Sequence, residues 1–373
     1  MNRDWTTRRV LVIGFRRWKA YSLYPILKQI FREVVYLPDV AAIRRHGWRE
    51  QDCLAVWSSG DKVAGLKDFA AEARLPLLRI EDGFIRSVGL GSDLIPPVSL
   101  VLDEAGIYFD PTHPSGLEML LNQHIFSADE LMRAERAADF IVRHHLTKYN
   151  IDSLTPPAWQ AQAQGKKVIL VPGQVEDDAS IRLGCGDIRT NLQLLQAARQ
   201  AEPQAWIVYK PHPDVLARNR VGALGDARQY ADVVETDCSV VSLLEICHGV
   251  HTMTSLTGFD ALLRNREVTV YGQPFYAGWG LTRDQGLVFS EQRRQRSLTL
   301  NELVAGTLLL YPLYFDWSTC QLSSCEAALE SICRERDQAA QEGRIHRLKQ
   351  GWWRRQSRKV KVLANAFGTK WYG

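Results

Sequence analysis

Two acidic clusters, one Lys-Pro-His-Pro segment and one hydroxyl-rich turn hold most of the side chains in this 373-residue chain that can do chemistry. Glu81-Asp82-Gly83-Phe84-Ile85-Arg86-Ser87 follows the apolar run 77–80 and places two carboxylates, an arginine and a hydroxyl at a strand end. A carboxylate facing a cleft there can act as general acid or base, and the same residues also suit a turn closed by a surface ion pair. The second cluster, Glu176-Asp177-Asp178 within Gly173-Gln174-Val175-Glu176-Asp177-Asp178-Ala179-Ser180, follows the run 167–172. Three successive acids suit a metal site, or a helix start in which Asp178 and Ser180 cap a turn. The other cluster is far away in sequence and no histidine is close, which weighs against metal. Carboxylates facing one another across a cleft also fit glycosyl chemistry, one as nucleophile and one as acid or base.

Tyr209-Lys210-Pro211-His212-Pro213 ends another strand, and its prolines hold a cation and an imidazole on extended backbone, an arrangement suited to a phosphate. Thr254-Ser255-Leu256-Thr257-Gly258-Phe259-Asp260 reads as a turn entering a helix, where hydroxyls and free amides attract an anion and Asp260 can accept from ribose hydroxyls. The plainer reading of that turn is N-capping by Thr257. The loop 272–282 mixes glycine with Phe275, Tyr276 and Trp279, either as a sugar or base platform or as a packed cover. Neither a Walker A segment nor GxGxxG occurs, against P-loop and dinucleotide readings.

These segments need strands to present them. Runs at 9–15, 34–37, 54–57 and 76–80, with helical spacing at 19–31 and 62–74, predict a small parallel sheet in the first half. A helix over 127–148 leads to the breaker Thr155-Pro156-Pro157, which marks the domain boundary. The alternation restarts with strands at 167–172, 205–209, 233–235, 250–254 and 268–271 and helices near 188–199 and 240–247. Two Rossmann-like halves result, with ligands expected beyond the carboxyl ends of the strands.

The composition, 46% apolar and 24% charged with a mean hydropathy of −0.21, excludes disorder and fibrous structure. The 46 Lys and Arg outnumber the 42 Asp and Glu, but nine basic residues and no acid lie beyond Gly343, so the body is mildly acidic. Seven scattered cysteines without a CxxC pair read as reduced thiols of a cytosolic protein. The first residues lack a signal-peptide pattern and no apolar run approaches the roughly 18 residues of a membrane span, so a cytoplasmic location is expected.

Taken in order, EDGFIRSVGL at 81–90, PPVSLVLDEAGIYFD at 96–110, Lys148-Tyr149-Asn150, GQVEDDASI at 173–181, YKPHPDV at 209–215, HTMTSLTGFDALL at 251–263 and GQPFYAGWGLT at 272–282 resemble the KpsC family of capsule β-Kdo transferases. These are retaining enzymes that move Kdo from CMP-Kdo onto a glycolipid. Typical members carry two modules in tandem; this chain has one, most similar to the C-terminal module associated with β-(2→7) linkage, so alternating linkages would need a separate enzyme. The resemblance implies an α/β, GT-B-like architecture, two Rossmann-like domains facing an interdomain cleft, with a basic amphipathic tail. The expected boundaries are 1–155 for the acceptor domain, 156–325 for the CMP-sugar domain and 326–373 for the tail. It assigns Asp178 as nucleophile and Glu81 as the acid or base that activates the acceptor hydroxyl. Gln174, Lys210, His212, Ser255, Thr257 and Gly258 would hold CMP-Kdo, and Asp260, where the family often has Glu, the ribose. Arg86, Ser87 and Arg182 are candidates for the sugar carboxylate or acceptor, since a guanidinium pairs with a carboxylate bidentately. Neither a metal nor a cofactor is expected. A transferase of another acidic sugar and a non-catalytic capsule assembly or export scaffold remain alternatives.

Val360, Leu363, Phe367 and Trp371 recur at helical spacing among Lys359, Lys361 and Lys370, behind Trp352-Trp353-Arg354-Arg355. Such a tail suits the anionic inner face of the cytoplasmic membrane, and other capsule biosynthesis or export proteins are further possible partners. Nucleic acid is the rival for a basic-aromatic segment, and an enzyme acting on a glycolipid favours the membrane.

Overall fold

The computed structural model describes residues 5–89, 94–150, 154–212, 215, 226–286, 292–343, 360 and 364. In the first unit β1 (Arg9–Ile13), β2 (Glu33–Leu37), β3 (Cys53–Trp57) and β4 (Leu77–Asp82) lie parallel in the order β2-β1-β3-β4, and β5 (Ser99–Asp103) joins β4 antiparallel. Val10 and Val12 pack with Ala20, Leu23, Ile26 and Leu27 of the helix Arg17–Ile30. Leu11 and Ile13 pack with Ile43, Leu66 and Phe69 on the other face. Helices on both faces are why β1 reads as an unbroken apolar run.

The second unit holds β6 (Val168–Pro172), β7 (Trp206–Lys210), β8 (Val233–Val234), β9 (Gly249–Thr252), β10 (Glu267–Val270) and β11 (Arg283–Asp284). All pairings are parallel and the order is β11-β10-β9-β6-β7-β8. Counted within the unit, this is the 3-2-1-4-5-6 order of a Rossmann sheet, whose direction of winding reverses between β6 and β9. The gap beyond those two strand ends is the place the topology reserves for a ligand.

β12 (Leu313–Asp316) and β13 (Gln321–Ser323) then return to the first sheet, β12 pairing antiparallel with β5 and β13 with β12. The first sheet is therefore mixed rather than parallel as the strand pattern predicted. The compact units also differ from the expected cuts at 155 and 325. One gathers Met1–Ile107, Lys148–Ile151 and Thr307–Gly373, the other Tyr108–Thr147 and Asp152–Gly306. Two physical demands move the boundaries. The edge of β5 needs a partner, which Leu313 and Tyr314 supply. The apolar stripe of Ala134, Ala137, Ala138 and Ile141 on the helix Ala128–Arg143, which opens on a Ser127–Glu130 capping box, sends that helix against Leu256–Leu263 and Leu300–Val304.

The start of the expected tail is likewise body: the helix Cys325–Gln341 buries Ala328, Leu329 and Ile332 and packs against β12. Of the tail's apolar stripe only Val360 is described, and it is exposed; Leu363, Phe367 and Trp371 lie outside the described residues. All seven cysteines are free, six of them buried.

Candidate functional site

The second unit concentrates polar side chains at its switch point. Gln174, the second residue beyond β6, is buried and spans to the end of β9. Its Oε1 accepts from the Thr254 amide at 2.9 Å and its Nε2 donates to Thr254 Oγ1 at 3.0 Å. Thr254 Oγ1 donates to Ser180 Oγ at 3.2 Å, and Ser180 Oγ donates to Asp178 Oδ1 at 2.9 Å. A continuous chain of hydrogen bonds thus runs from the switch point to Asp178. Asp178 is exposed, and its Oδ1 also accepts the Ser180 amide at 3.0 Å as the N-cap of the helix Ala179–Gly184. The capping expected of Asp178 is present and engages its Oδ1.

Two of the three acids in the cluster have different tasks. Glu176 Oε1 accepts from the Asn191 amide at 2.8 Å, whereas Asp178 caps its own helix. Among the described residues no group of His, Cys, Asp and Glu is arranged to hold a metal. Asn191 is fully buried and grips the backbone of Gln174 on both sides, accepting from its amide at 2.8 Å and donating to its carbonyl at 2.9 Å. Sequence reasoning missed Asn191, because Thr190 and Gln193 signal only a helix start.

Beyond β9, Ser255 rather than Thr257 caps the helix Leu256–Leu263, accepting from the Thr257 amide at 3.2 Å and donating to Thr257 Oγ1 at 3.1 Å. The aromatic loop is a packed cover, not an open platform: Phe275, Tyr276 and Trp279 are buried, and Tyr276 Oη donates to the Ser255 carbonyl at 2.5 Å. Gly258 is required by that approach, since a Cβ there would stand 2.2 Å from Tyr276 Oη. Lys210 ends β7 opposite Pro172, and its Nζ donates to the Thr236 carbonyl at 3.0 Å. His212 is half-buried two residues further on. Arg182 is exposed on the helix Ala179–Gly184.

Asp260 is buried on the helix Leu256–Leu263, and loss of hydration pushes its carboxyl up to about 6 against a weaker opposing pull from Arg264. Its folded value lies above its unfolded one, so its contribution to stability is full below about pH 4 and is lost as pH rises through about 6. Asp260→Asn is therefore expected to gain roughly 1–2 kcal/mol in urea unfolding above pH 6 and nothing below pH 4. A gain independent of pH would show that the carboxylate is not the source.

In the first unit, Glu81 and Asp82 end β4. Glu81 Oε1 accepts from the Asp82 amide at 3.0 Å. Withdrawal from water, and then the neighbouring Asp82, push Glu81 up to about 7 although part of its surface still meets solvent; Lys19 and Lys148 pull the other way. Arg86 is buried, its Nε donating to Asp82 Oδ2 at 2.7 Å, Nη1 to Ser87 Oγ at 2.9 Å and Nη2 to the Ile95 carbonyl at 2.9 Å. Ser87 Oγ donates to the Gly89 carbonyl at 2.8 Å. Both side chains thus also hold the loop behind Glu81 together. Glu81, Arg86 and Ser87 lie in the first unit and the other predicted site residues in the second.

A parallel 3-2-1-4-5-6 sheet with a polar chain at its switch point defines an α/β protein of the Rossmann type. Residues 52–314 match the model of the capsule polysaccharide biosynthesis protein family, and the chain belongs to that family. It is 40% identical over 357 residues to the capsule polysaccharide modification protein LipA of Neisseria meningitidis serogroup A, covering 95% of this chain and 49% of LipA. The chain thus spans about half the length of that relative. The lipopolysaccharide-processing protein LpsZ of Rhizobium meliloti is 39% identical over 280 residues, 74% of this chain and 63% of LpsZ. Two solved structures of Thermosulfurimonas dismutans KpsC are similar. Its β-Kdo 2,7 transferase matches at 35% identity and a TM-score of 0.70, over 87% of this chain and 99% of that one. Its β-Kdo 2,4 transferase matches at 34% and 0.76, over 86% and 97%.

Proposed function

We propose that this protein is a retaining glycosyltransferase that moves Kdo from CMP-Kdo to a Kdo-ended glycolipid in capsule biosynthesis, forming a β-(2→7) linkage. The observation that carries the reading is the hydrogen-bonded line from Gln174 through Thr254 and Ser180 to Asp178 at the switch point of a Rossmann sheet. The likeness to the two KpsC transferases supports Kdo as the sugar, and the resemblance of the segments at 173–181 and 209–215 to the module associated with β-(2→7) linkage supports that linkage.

In this reaction Asp178 attacks the anomeric carbon of Kdo as the bond to the phosphate of CMP breaks. Lys210, His212 and the amides and hydroxyls at Ser255 and Thr257 receive the departing phosphate, and Asp260 the ribose, with no metal required. Glu81 then takes the proton of the acceptor hydroxyl while its oxygen displaces Asp178 from the sugar. Two inversions at one carbon retain configuration. The nine basic residues beyond Gly343 are assigned the contact with the inner face of the cytoplasmic membrane.

Incubation with CMP-Kdo and a synthetic acceptor ending in β-Kdo tests the reading. One added Kdo, β-(2→7)-linked by NMR, is the expected result. Binding of CMP without turnover on any acidic-sugar donor would replace the enzyme by a scaffold, and turnover with a different acidic sugar would correct the donor.

A further inference from the structure

At the end of β8 a buried carboxylate that no motif announces governs the turn beside Lys210. Glu235 follows Val234, which lies in register with Tyr209 of β7, and the Glu235 amide donates to the Tyr209 carbonyl at 2.8 Å. Its Oε1 accepts from the amides of Asp237 at 2.7 Å and Cys238 at 3.0 Å, and its Oε2 accepts from the Trp159 indole at 2.8 Å. Trp159 is buried and stacks on Trp206 with ring centroids 6.3 Å apart, and Trp206 shares a face of β7 with Lys210. Both carboxylate oxygens are therefore tied, one to the turn and one to the segment that follows the breaker Thr155-Pro156-Pro157.

The Asp237 N–H and the Thr236 carbonyl belong to one peptide group, and in a trans peptide they point in opposite directions. With its N–H drawn toward Glu235, that peptide turns its carbonyl the other way, and this is the carbonyl that accepts from Lys210 Nζ at 3.0 Å. The carboxylate and the ammonium are thus joined through a single peptide group, whose dipole both polarise in the same sense. A charged carboxylate is a costly way to close a buried turn, since a neutral Asn or Ser side chain accepts the same amides without stripping water from a charge. What the charge adds is a stronger pull on the peptide that faces Lys210. We propose that Glu235 is a positioning residue: by turning the peptide between Thr236 and Asp237 it aims Lys210 toward the phosphate of the donor nucleotide. The phosphate rests on the proposed transferase reading, whereas the hold of Glu235 on Lys210 is measurable without ligand.

Two readouts separate this role from a merely structural one. In protein labelled with carbon-13 at the lysine ε carbons, with the Lys210 signal assigned by its loss in Lys210→Met, a side chain held in one direction keeps its two ε protons inequivalent and a released one averages them. Separate signals are expected in the wild type and a merged one in Glu235→Ala. In calorimetry Glu235→Ala is expected to weaken CMP binding about tenfold, and Glu235→Gln, which keeps an acceptor for the Asp237 amide, about threefold. Both losses should vanish when Lys210 is already methionine, because a residue that acts through Lys210 then has nothing left to position. Equal losses with and without Lys210, or a Lys210 signal unmoved in folded Glu235→Ala, overturn the proposal. Signals that merge as expected in a protein that binds no CMP support the positioning and remove the nucleotide from the site. Should Glu235→Ala not fold, Glu235→Gln carries the same two tests, with the ε signals expected to converge in part and no change again overturning the idea.

Discussion

Asp178→Asn is expected to lower Kdo transfer by more than about 10³-fold while leaving the fold in place. The two effects separate because of how Asp178 is bonded. Its Oδ1 caps the helix Ala179–Gly184 by accepting from the Ser180 amide and hydroxyl, a duty that asparagine performs equally well. Stability should therefore change by less than about 0.5 kcal/mol, whereas Asp178→Ala loses the cap and about 1 kcal/mol with it. An amide cannot attack the anomeric carbon, so the chemical loss is the same in both variants. Wild-type protein given donor without acceptor should gain the mass of one Kdo residue, and Asp178→Asn should gain none. Asp177→Asn is the matched control, since Asp177 is exposed and not part of the line from Gln174. Full transfer by Asp178→Asn would end the nucleophile assignment.

That line also shows what a sequence can and cannot disclose. The acids of 176–178, the hydroxyls of 254–257 and the lysine at 210 all follow apolar runs, and strand-end placement is visible because parallel strands buried on both faces leave unbroken apolar signatures. Partners across the sheet are not visible. Gln174 finds Thr254 only because β6 and β9 are neighbours, a pairing that 3-2-1-4-5-6 winding creates between segments some 80 residues apart. Asn191 is illegible for the same reason, since it serves Gln174, a residue that is close only after folding. Arg86 has contacts of the same hidden kind. Its type suited a sugar carboxylate, and nothing in the sequence signals the three hydrogen bonds to Asp82, Ser87 and Ile95 that it makes within the loop. The return of β12 to the first sheet was hidden because Leu313 to Asp316 is four residues long, too short for a period to declare itself.

The largest loss of stability is expected from Arg294→Met, about 3–5 kcal/mol in urea unfolding. Arg294 is buried with Nε 3.2 Å from Glu118 Oε2, while Nη1 donates to the carbonyls of Pro274 at 2.7 Å and Ala277 at 2.5 Å. Methionine fills similar space but takes the Arg294 donor from two carbonyls and leaves the Glu118 carboxylate to Arg293 alone, and buried polar atoms left unpaired cost far more than the bonds contributed. Arg293 shares Glu118, with Nε 2.6 Å from Oε1, yet a quarter of its side chain meets solvent. Water can replace it in part, so Arg293→Met should cost about 1–2 kcal/mol. The ordering of the two variants is the test, because equal losses would mean that Glu118 alone, and not the grip on the loop, sets the stability. A second consequence reaches the site. Arg294 holds the loop whose Tyr276 bonds the Ser255 carbonyl and whose Phe275 packs against Phe259, so the helix Leu256–Leu263 loses its cover when the loop loosens. Arg294→Met is therefore expected to weaken CMP binding in calorimetry under conditions where the protein is still folded, and Arg293→Met to leave it near the wild-type value. Tight CMP binding by a destabilised Arg294→Met protein would show that the aromatic loop supports the fold without shaping the donor site.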